Sequence, residues 1–467
     1  MSVIDRCLLH TFSTALLIAV SAALPVAAED DDDAKGAMPS PRPEYLTNDP
    51  SRAAEEGEPE SGIGIDEGEL GLRVPIEDPG GEALEGFHGA LERAARGEGK
   101  ARILFFGASH VASDAFTGRV REDLQARFGD GGPGFVLPVK PWRYYRNNAV
   151  SFEGNRRAWK TKRVLARHQE GDRYGLAGVA VETDRAGAVG IIETPDRGTL
   201  GRAVSSYDLH YMTQPEGGDF EVFIDGERRG RIRTRAKDRA AAYATYSVPD
   251  GPHRFEVRVV GNGPVRLFGV AAERDRAGVV VDTLGINGAR ARYQLLWEDT
   301  IFREHLARRE PDLVVLAYGT NESGDTDTPI ELYESRLRQV VARVQETVPK
   351  ASCLLIGPSD RPIRDRKAGT IEDRPRTVQV NETQRRVAAD LGCGYFDLLT
   401  FMGGPLSMIQ WVGHEPPMGA PDHIHFTHRG YERLGEVLGD ALLGGLDGDD
   451  NSAPVASPVG SPAPPVP

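Results

Sequence analysis

The sequence predicts an α/β chain: a parallel five-stranded sheet covered by helices on both faces, with an inserted antiparallel β-sandwich domain. Three observations predict it. Short apolar runs at 103–106, 279–282, 313–317, 353–356 and 395–396 are followed by segments of helical spacing. Strand–helix alternation of this kind builds a parallel sheet buried on both sides. Between about Val139 and Val270 the apolar period falls to two, in short runs separated by turn residues such as Asp225-Gly226 and Asp250-Gly251, the mark of an antiparallel sandwich. Finally, one strand–helix unit precedes that stretch and four strands follow it. The sandwich therefore interrupts the α/β domain after its first unit.

In chain order, Arg6, the apolar stretch Leu16 to Leu24 and the small residues Val26-Ala27-Ala28 form an export signal over 1–28. The apolar part falls short of a membrane span, and no later stretch approaches that length. The mature chain is expected to be periplasmic, envelope-associated or secreted. Residues 29–79 are acidic and rich in Pro and Gly, without periodic apolar positions, and read as a disordered linker. The α/β domain is expected over 80–138 and 273–445, the sandwich over 139–272, and a Pro/Ala/Ser-rich disordered tail over 446–467.

Within the first part, Leu84, Phe87, Leu91 and Ala94 have helical spacing, Ile103 to Phe106 is a buried strand, and Ala115 to Phe128 a helix. Sandwich strands are expected at 178–181, 189–192, 206–211, 220–224, 255–260 and 265–268. In the second part, helices are expected at Ala291 to Arg308, Ile330 to Thr347, Thr377 to Leu391 and Thr427 to Leu443. At 467 residues the chain is long enough for two substantial cores.

The net charge of −14 argues against a general nucleic-acid binder. It also repels acidic polymers at long range unless local basic patches outweigh it. Of three cysteines, Cys7 lies in the export signal. Cys353 and Cys393 each stand near the start of a strand, as a disulfide or as two buried thiols. Neither has the spacing of a zinc site, so no metal is predicted.

Ligands of open parallel sheets bind beyond the carboxyl ends of the strands. Four distant polar segments follow such ends or lie in the loop after the last one: Gly107-Ala-Ser-His110, Leu284-Gly-Ile-Asn-Gly288, Tyr318-Gly-Thr-Asn-Glu322 and Asp422-His-Ile-His425. Ser109 by itself reads first as a helix cap, and Asp422-x-x-His425 by itself first as an exposed helix start. Together the four segments hold a serine, backbone amides at small residues, an asparagine amide, a histidine and a carboxylate. Those are the parts of a serine acyl-transfer site. An acid three residues before a histidine can reach the near ring nitrogen while the far nitrogen faces the serine.

In this order the four segments resemble the signature blocks of the SGNH/GDSL hydrolases. The resemblance implies a three-layer, flavodoxin-like SGNH domain with Ser109 as nucleophile, His425 as base and Asp422 as its orienting acid. It implies an oxyanion hole from the Ser109 and Gly288 backbone N–H groups and the Asn321 amide, and no cofactor. Ala108 stands where the family often has Asp, and Glu322 where the third block ends in Asp; modest effects on hole geometry are expected. A narrower resemblance, through Gly107-Ala-Ser-His-Val-Ala-Ser-Asp-Ala-Phe-Thr117, Phe128-Gly-Asp-Gly-Gly-Pro-Gly134, Asp282-Thr-Leu-Gly-Ile-Asn-Gly-Ala289 and Gly403-Gly-Pro-Leu-Ser-Met408, is to the peptidoglycan O-acetylesterases of Gram-negative bacteria. That family also carries a carbohydrate-binding-like β-sandwich inserted in its SGNH domain.

The expectation is an exported serine esterase removing O-acetyl groups from a cell-envelope polysaccharide, with peptidoglycan the leading candidate. The alternatives are an SGNH-type polysaccharide O-acetyltransferase and a catalytically inactive glycan-binding protein. His110, beside the nucleophile, and Trp411 are candidate substrate contacts; His423 and His428 are bystanders or contacts. The loop Gly403 to Pro421, with Met408, Trp411 and Met418, reads either as a substrate wall or as an apolar loop packed on the core.

Overall fold

The computed structural model describes residues 70–165, 173–365 and 367–446. The expected export signal, most of the linker and nearly all of the tail lie outside them. Five parallel strands form the central sheet, in the order Gly278–Gly285, Lys100–Gly107, Leu313–Ala317, Ser352–Ile356, Gly394–Phe396. The first strand in sequence thus lies second in the sheet, and the chain direction across the sheet reverses there.

Alternation along these strands builds the two cores. Ile103, Phe105, Val279, Val281, Val315 and Leu354 face the helices Glu85–Ala95, Phe116–Phe128 and His428–Leu443. Leu104, Phe106, Val314, Leu316 and Leu355 face the helices Asp299–Arg309, Ile330–Thr347 and Pro375–Asp390. Every side chain named on the strands is at most 1% exposed. A strand buried on both faces has no polar positions to spare, which is why these segments read as continuous apolar runs.

Between the Phe116–Phe128 helix and the Gly278–Gly285 strand lie two antiparallel sheets, one of six strands and one of five. They share a core in which Tyr207, Leu209, Val265 and Leu267 of the first meet Phe220, Val222, Phe255 and Val257 of the second. Tyr207 stacks on Phe255 across the gap, with ring centroids 4.7 Å apart. The Gly134–Val136 strand already pairs with Val270–Ala272, so pairing begins upstream of Val139. Four strands absent from the sequence reading, Ser151–Gly154, Lys160–Arg163, Glu227–Arg233 and Ala240–Gly251, are the four sheet edges. Edge strands carry charged and exposed side chains, so the buried alternation that reveals an inner strand is missing.

Two expectations are corrected. Residues 70–79 do not continue the disordered linker: Val74 and Ile76 pack on the core, and Glu77 exchanges backbone hydrogen bonds with Tyr395 at the sheet edge. Their apolar spacing was submerged in an acidic average. The single helix expected from Ala291 to Arg308 is two pieces, a 3₁₀ turn Ala291–Leu296 and a helix Asp299–Arg309. Between them Trp297 is extended and buried against Phe106 and Phe302, and Arg343 takes the Trp297 carbonyl at 3.1 Å. Tertiary packing here overrides local helix spacing.

The inserted sheets are fastened to the parent domain by a buried ion network. Arg309, 5% exposed, donates to Asp282 of the central sheet and to Glu273 at the end of the inserted Val265–Glu273 strand. Lys100 and Arg102 complete the Glu273 site at 2.6 and 3.2 Å. Cys353 and Cys393 form a disulfide joining the last two strands near their amino ends. No helix among the described residues is long and apolar enough to cross a membrane.

Candidate active site

Ser109 sits immediately past the carboxyl end of the Lys100–Gly107 strand, at the point where strand order reverses, the usual position of a ligand crevice in such sheets. The turn there is tight. A Cβ on Gly107 would lie 2.3 Å from the Val111 side chain, and one on Gly285 would lie 2.2 Å from the Ala112 nitrogen. Only glycine at both positions lets the short helix Ser109–Ala112 lie on the two strand ends. Ala108, not Ser109, occupies the cap position, and no side-chain cap bond is made there. The serine hydroxyl is turned elsewhere.

It meets His425, 316 residues away in sequence: Ser109 Oγ and His425 Nε2 are 2.8 Å apart, and His425 Nδ1 is 2.7 Å from Asp422 Oδ2. The other carboxylate oxygen accepts the N–H groups of Ile424 at 2.9 Å and His425 at 3.0 Å. Asp422 therefore fixes both the ring and the backbone of its loop. Burial favours the neutral acid, but the His425 ring and these amides outweigh it and hold the Asp422 carboxyl well below the usual carboxylate range. An ionised Asp422 keeps the Nδ1 proton on His425 and leaves Nε2 to accept from the serine. The loop is braced by the Ala420 N–H to the His425 carbonyl at 2.8 Å, and Thr427 caps the last helix.

The two remaining blocks flank the serine. Gly107 is opposite Gly285 on one side and Ala317 on the other. The Ile286 N–H bonds the Gly107 carbonyl at 3.0 Å. Gly288 follows with φ +78° and Asn321 lies across from it, its amide donating to the Ala289 carbonyl at 2.9 Å. An amide has two hydrogens, so that bond orients the group and leaves a second donor. Glu322, 4% exposed, accepts from the Ala291 N–H at 2.8 Å and the Gly319 N–H at 3.0 Å. It ties the two loops together. Burial pushes its carboxyl up despite those bonds. The departure at this position is thus an interior brace between the loops.

Both candidate substrate contacts are corrected. His110 is 9% exposed, with Nδ1 2.9 Å from the Tyr431 hydroxyl and Nε2 3.1 Å from Ser359 Oγ. Both ring nitrogens are used inside the protein, behind His425. Burial first, and the neighbouring His425 second, lower its pKa to about 3. Trp411 is fully buried, donates to the Met402 carbonyl at 3.0 Å and packs on Phe401 and Phe426. Met408 and Met418 are buried with it, so these side chains of the 403–421 loop belong to the core. A lone histidine or tryptophan in sequence carries no sign of which way it faces. His423 lies against the Pro421 carbonyl and His428 near Glu432.

Sequence reasoning missed Ser359, Thr320, Tyr431 and Arg361. Ser359 Oγ bonds His110 Nε2 and Thr320 Oγ1, the latter at 3.0 Å, linking the Ser109 turn to the Asn321 loop. Ser359 and Arg361 lie in a loop after the fourth strand that no block marks, Tyr431 lies on the last helix, and Thr320, inside a block, is singled out only by its bond to Ser359. Among the described residues, no cluster of His, Cys, Asp and Glu is arranged to hold a metal.

Comparisons with known proteins bear on this geometry. Residues 257–433 match the GDSL-like lipase/acylhydrolase family. That span holds Gly288, Asn321, Asp422 and His425, while Ser109 lies before it, cut off by the inserted sheets. A search among curated proteins found no match. Among solved structures, a peptidoglycan O-acetylesterase is similar with a TM-score of 0.66 and 26% identity, over 79% of this chain and 97% of that one. A salicylyl-acyltransferase from a tetracycline biosynthetic pathway aligns at 0.29 and 16%, over 64% and 99% of the two chains. A family two carbohydrate esterase from Clostridium thermocellum aligns at 0.25 and 11%, over 62% and 99%. The family match over residues 257–433 and the structural match over most of the chain together support an esterase of the SGNH superfamily with a GDSL-like acylhydrolase domain.

Proposed function

We propose that this chain is an exported O-acetylesterase that removes acetyl groups from peptidoglycan, with Ser109, His425 and Asp422 as its catalytic triad. Ser109 Oγ attacks the acetyl carbonyl carbon as its proton passes to His425 Nε2. The oxyanion forms beside the Ser109 and Gly288 N–H groups and the second Asn321 amide hydrogen. His425 then gives its proton to the departing sugar oxygen, leaving acetyl-Ser109. Water, deprotonated by the same ring, attacks that ester and releases acetate and free serine. Asp422 holds the ring in one tautomer and balances its positive charge.

The observation that carries this reading is the unbroken Ser109–His425–Asp422 hydrogen-bond chain, set in a chain similar to a peptidoglycan O-acetylesterase over most of its length. Export rests on the sequence of residues 1–28. The test is acetate release from O-acetylated peptidoglycan and from a small aryl acetate, wild type beside Ser109→Ala. Wild type is expected to act on both. Loss of the nucleophile removes several powers of ten in rate. Activity on the aryl ester alone rejects the glycan, and an active Ser109→Ala rejects the nucleophile.

A further inference from the structure

Arg361 stands in the loop after the Ser352–Ile356 strand, on the same carboxyl edge of the sheet as Ser109. The loop touches both halves of the site. Ser359, two residues before it, bonds His110 beside the nucleophile and Thr320 beside Asn321. Arg361 Nη1 donates to the Thr320 carbonyl at 3.1 Å, and its guanidinium lies over Gly324. The side chain is partly buried, yet among the described residues it has no ion pair with a carboxylate.

The nearby carboxylates are already engaged. Asp325 takes both arms of Arg290, and Asp422 is held by His425 and two backbone amides. Asp360, next to Arg361 in the chain, accepts the Met408 N–H at 3.0 Å, and two further arginines stand close by. Arg374 donates to the Arg361 carbonyl at 2.8 Å and also lacks an ion pair among the described residues, while Arg364 reaches the Pro421 carbonyl beside Asp422. Burial, then the like charges of Arg374 and Arg290, disfavour the Arg361 cation; Asp325 and Asp422 offset part of this. A guanidinium cannot shed its proton in response. A chain of net charge −14 thus sets an unneutralised cation next to its Ser–His–Asp site, and a planar fork of this kind fits a carboxylate.

We infer that Arg361 forms a carboxylate subsite beside the nucleophile, so that the acetylated sugar is recognised together with a carboxylate on the same glycan strand or its attached peptide. This rests on the peptidoglycan reading above and adds a requirement to it. The acetyl group alone offers the site only a few atoms. A charged hydrogen bond from Arg361 selects esters on an acidic glycan over neutral ones.

The experiment compares O-acetylated peptidoglycan with the same material after its carboxyls are converted to amides. Each is assayed with stem peptides present and after an amidase has removed them before the conversion step. Wild type should prefer free carboxylates by about tenfold or more in kcat/KM, as expected for a charged hydrogen bond. In Arg361→Gln that preference should fall to near one, and Arg361→Lys should keep part of it. A preference seen only with stems assigns the peptide carboxylate; one seen only after their removal assigns the sugar carboxylate that the amidase frees, and one seen in both assigns a subsite that accepts either. No preference in wild type overturns the subsite without relying on any variant's folding. So does a full preference in Arg361→Gln. Cleavage of a small aryl acetate with no acetate from any peptidoglycan form rejects the peptidoglycan assignment, and the subsite with it.

Discussion

Asp422→Asn separates the placement of His425 from its tautomer. Asp422 Oδ1 accepts two backbone N–H groups at 2.9 and 3.0 Å, so in the variant that position must remain the amide oxygen. The amide nitrogen is then forced into the Oδ2 position, 2.7 Å from His425 Nδ1. Two donors cannot face each other there, and the ring responds by placing its proton on Nε2, toward Ser109. The loop survives while the base is lost. In a serine protease triad the same exchange lowers kcat about 10⁴-fold, which corresponds to about 5 kcal/mol in activation free energy. The assay is initial-rate hydrolysis of a small aryl acetate at neutral pH, with thermal unfolding recorded beside it. The expected result is a loss of about 10³ to 10⁴ in rate, with cooperative unfolding retained and Tm lowered at neutral pH by the missing carboxylate. Asp422→Ala removes the loop anchors as well and should lower both. A folded Asp422→Asn with less than about tenfold loss refutes tautomer control by Asp422 and reduces the site to a serine–histidine pair. The depressed Asp422 carboxyl also contributes stability above the unfolded carboxyl value of about 3.9. The wild-type advantage over Asp422→Asn should shrink as pH falls below that value.

Three further outcomes are expected. His110→Asn leaves Tyr431 and Ser359 without their ring partner, at a cost of about 1–3 kcal/mol in urea unfolding at neutral pH. Because wild-type His110 stays neutral to about pH 3, its native state takes up a proton later than the unfolded chain. Wild-type stability should fall between about pH 6.5 and 3 by up to ~1.4 kcal/mol per pH unit from this residue, and the variant should lack that component. Arg309→Leu strands Asp282 and Glu273 in the interior and should cost about 3–5 kcal/mol; proteolysis should then cut first near the junction of the inserted sheets. Replacing Cys353 and Cys393 by alanine frees a loop of 40 residues and should lower stability by about 4 kcal/mol in the chain-entropy account. Since that bond lies near the amino ends of its strands, kcat/KM of the folded variant should be retained.

The chain's own order determined the architecture. Strands buried on both faces are apolar over most of their length, and in the central sheet a buried polar exception such as Asp282 is held by an ion pair with Arg309. Sandwich strands alternate where one face is buried, as Phe220, Val222 and Ile224 do in Asp219–Ile224. Asp422 and His425 were legible because three residues on a single loop is a local distance, and the Asp422 bonds to Ile424 and His425 are made within that loop. Edge strands such as Glu227–Arg233 were not, since exposure leaves the pattern free to vary.

Only the tertiary structure decided what depends on direction and distant partners. The contact of Ser109 with His425 spans 316 residues; the ordered blocks pointed to it, but the distance came from the packed sheet. His110 was assigned to substrate from its place beside Ser109 and Trp411 from a loop read as a substrate wall, and the fold turned both inward, because Tyr431, Ser359 and the Met402 carbonyl satisfy them there. Glu322 looked like a departure from a motif and is a brace between two loops. Cys353 and Cys393 stood open between thiols and a bond until neighbouring parallel strands set their Cα atoms 4.6 Å apart. Arg361 carries no motif at all. Its significance lies in the carboxylates around it being already engaged, a property of an assembled site that no single segment of the chain contains.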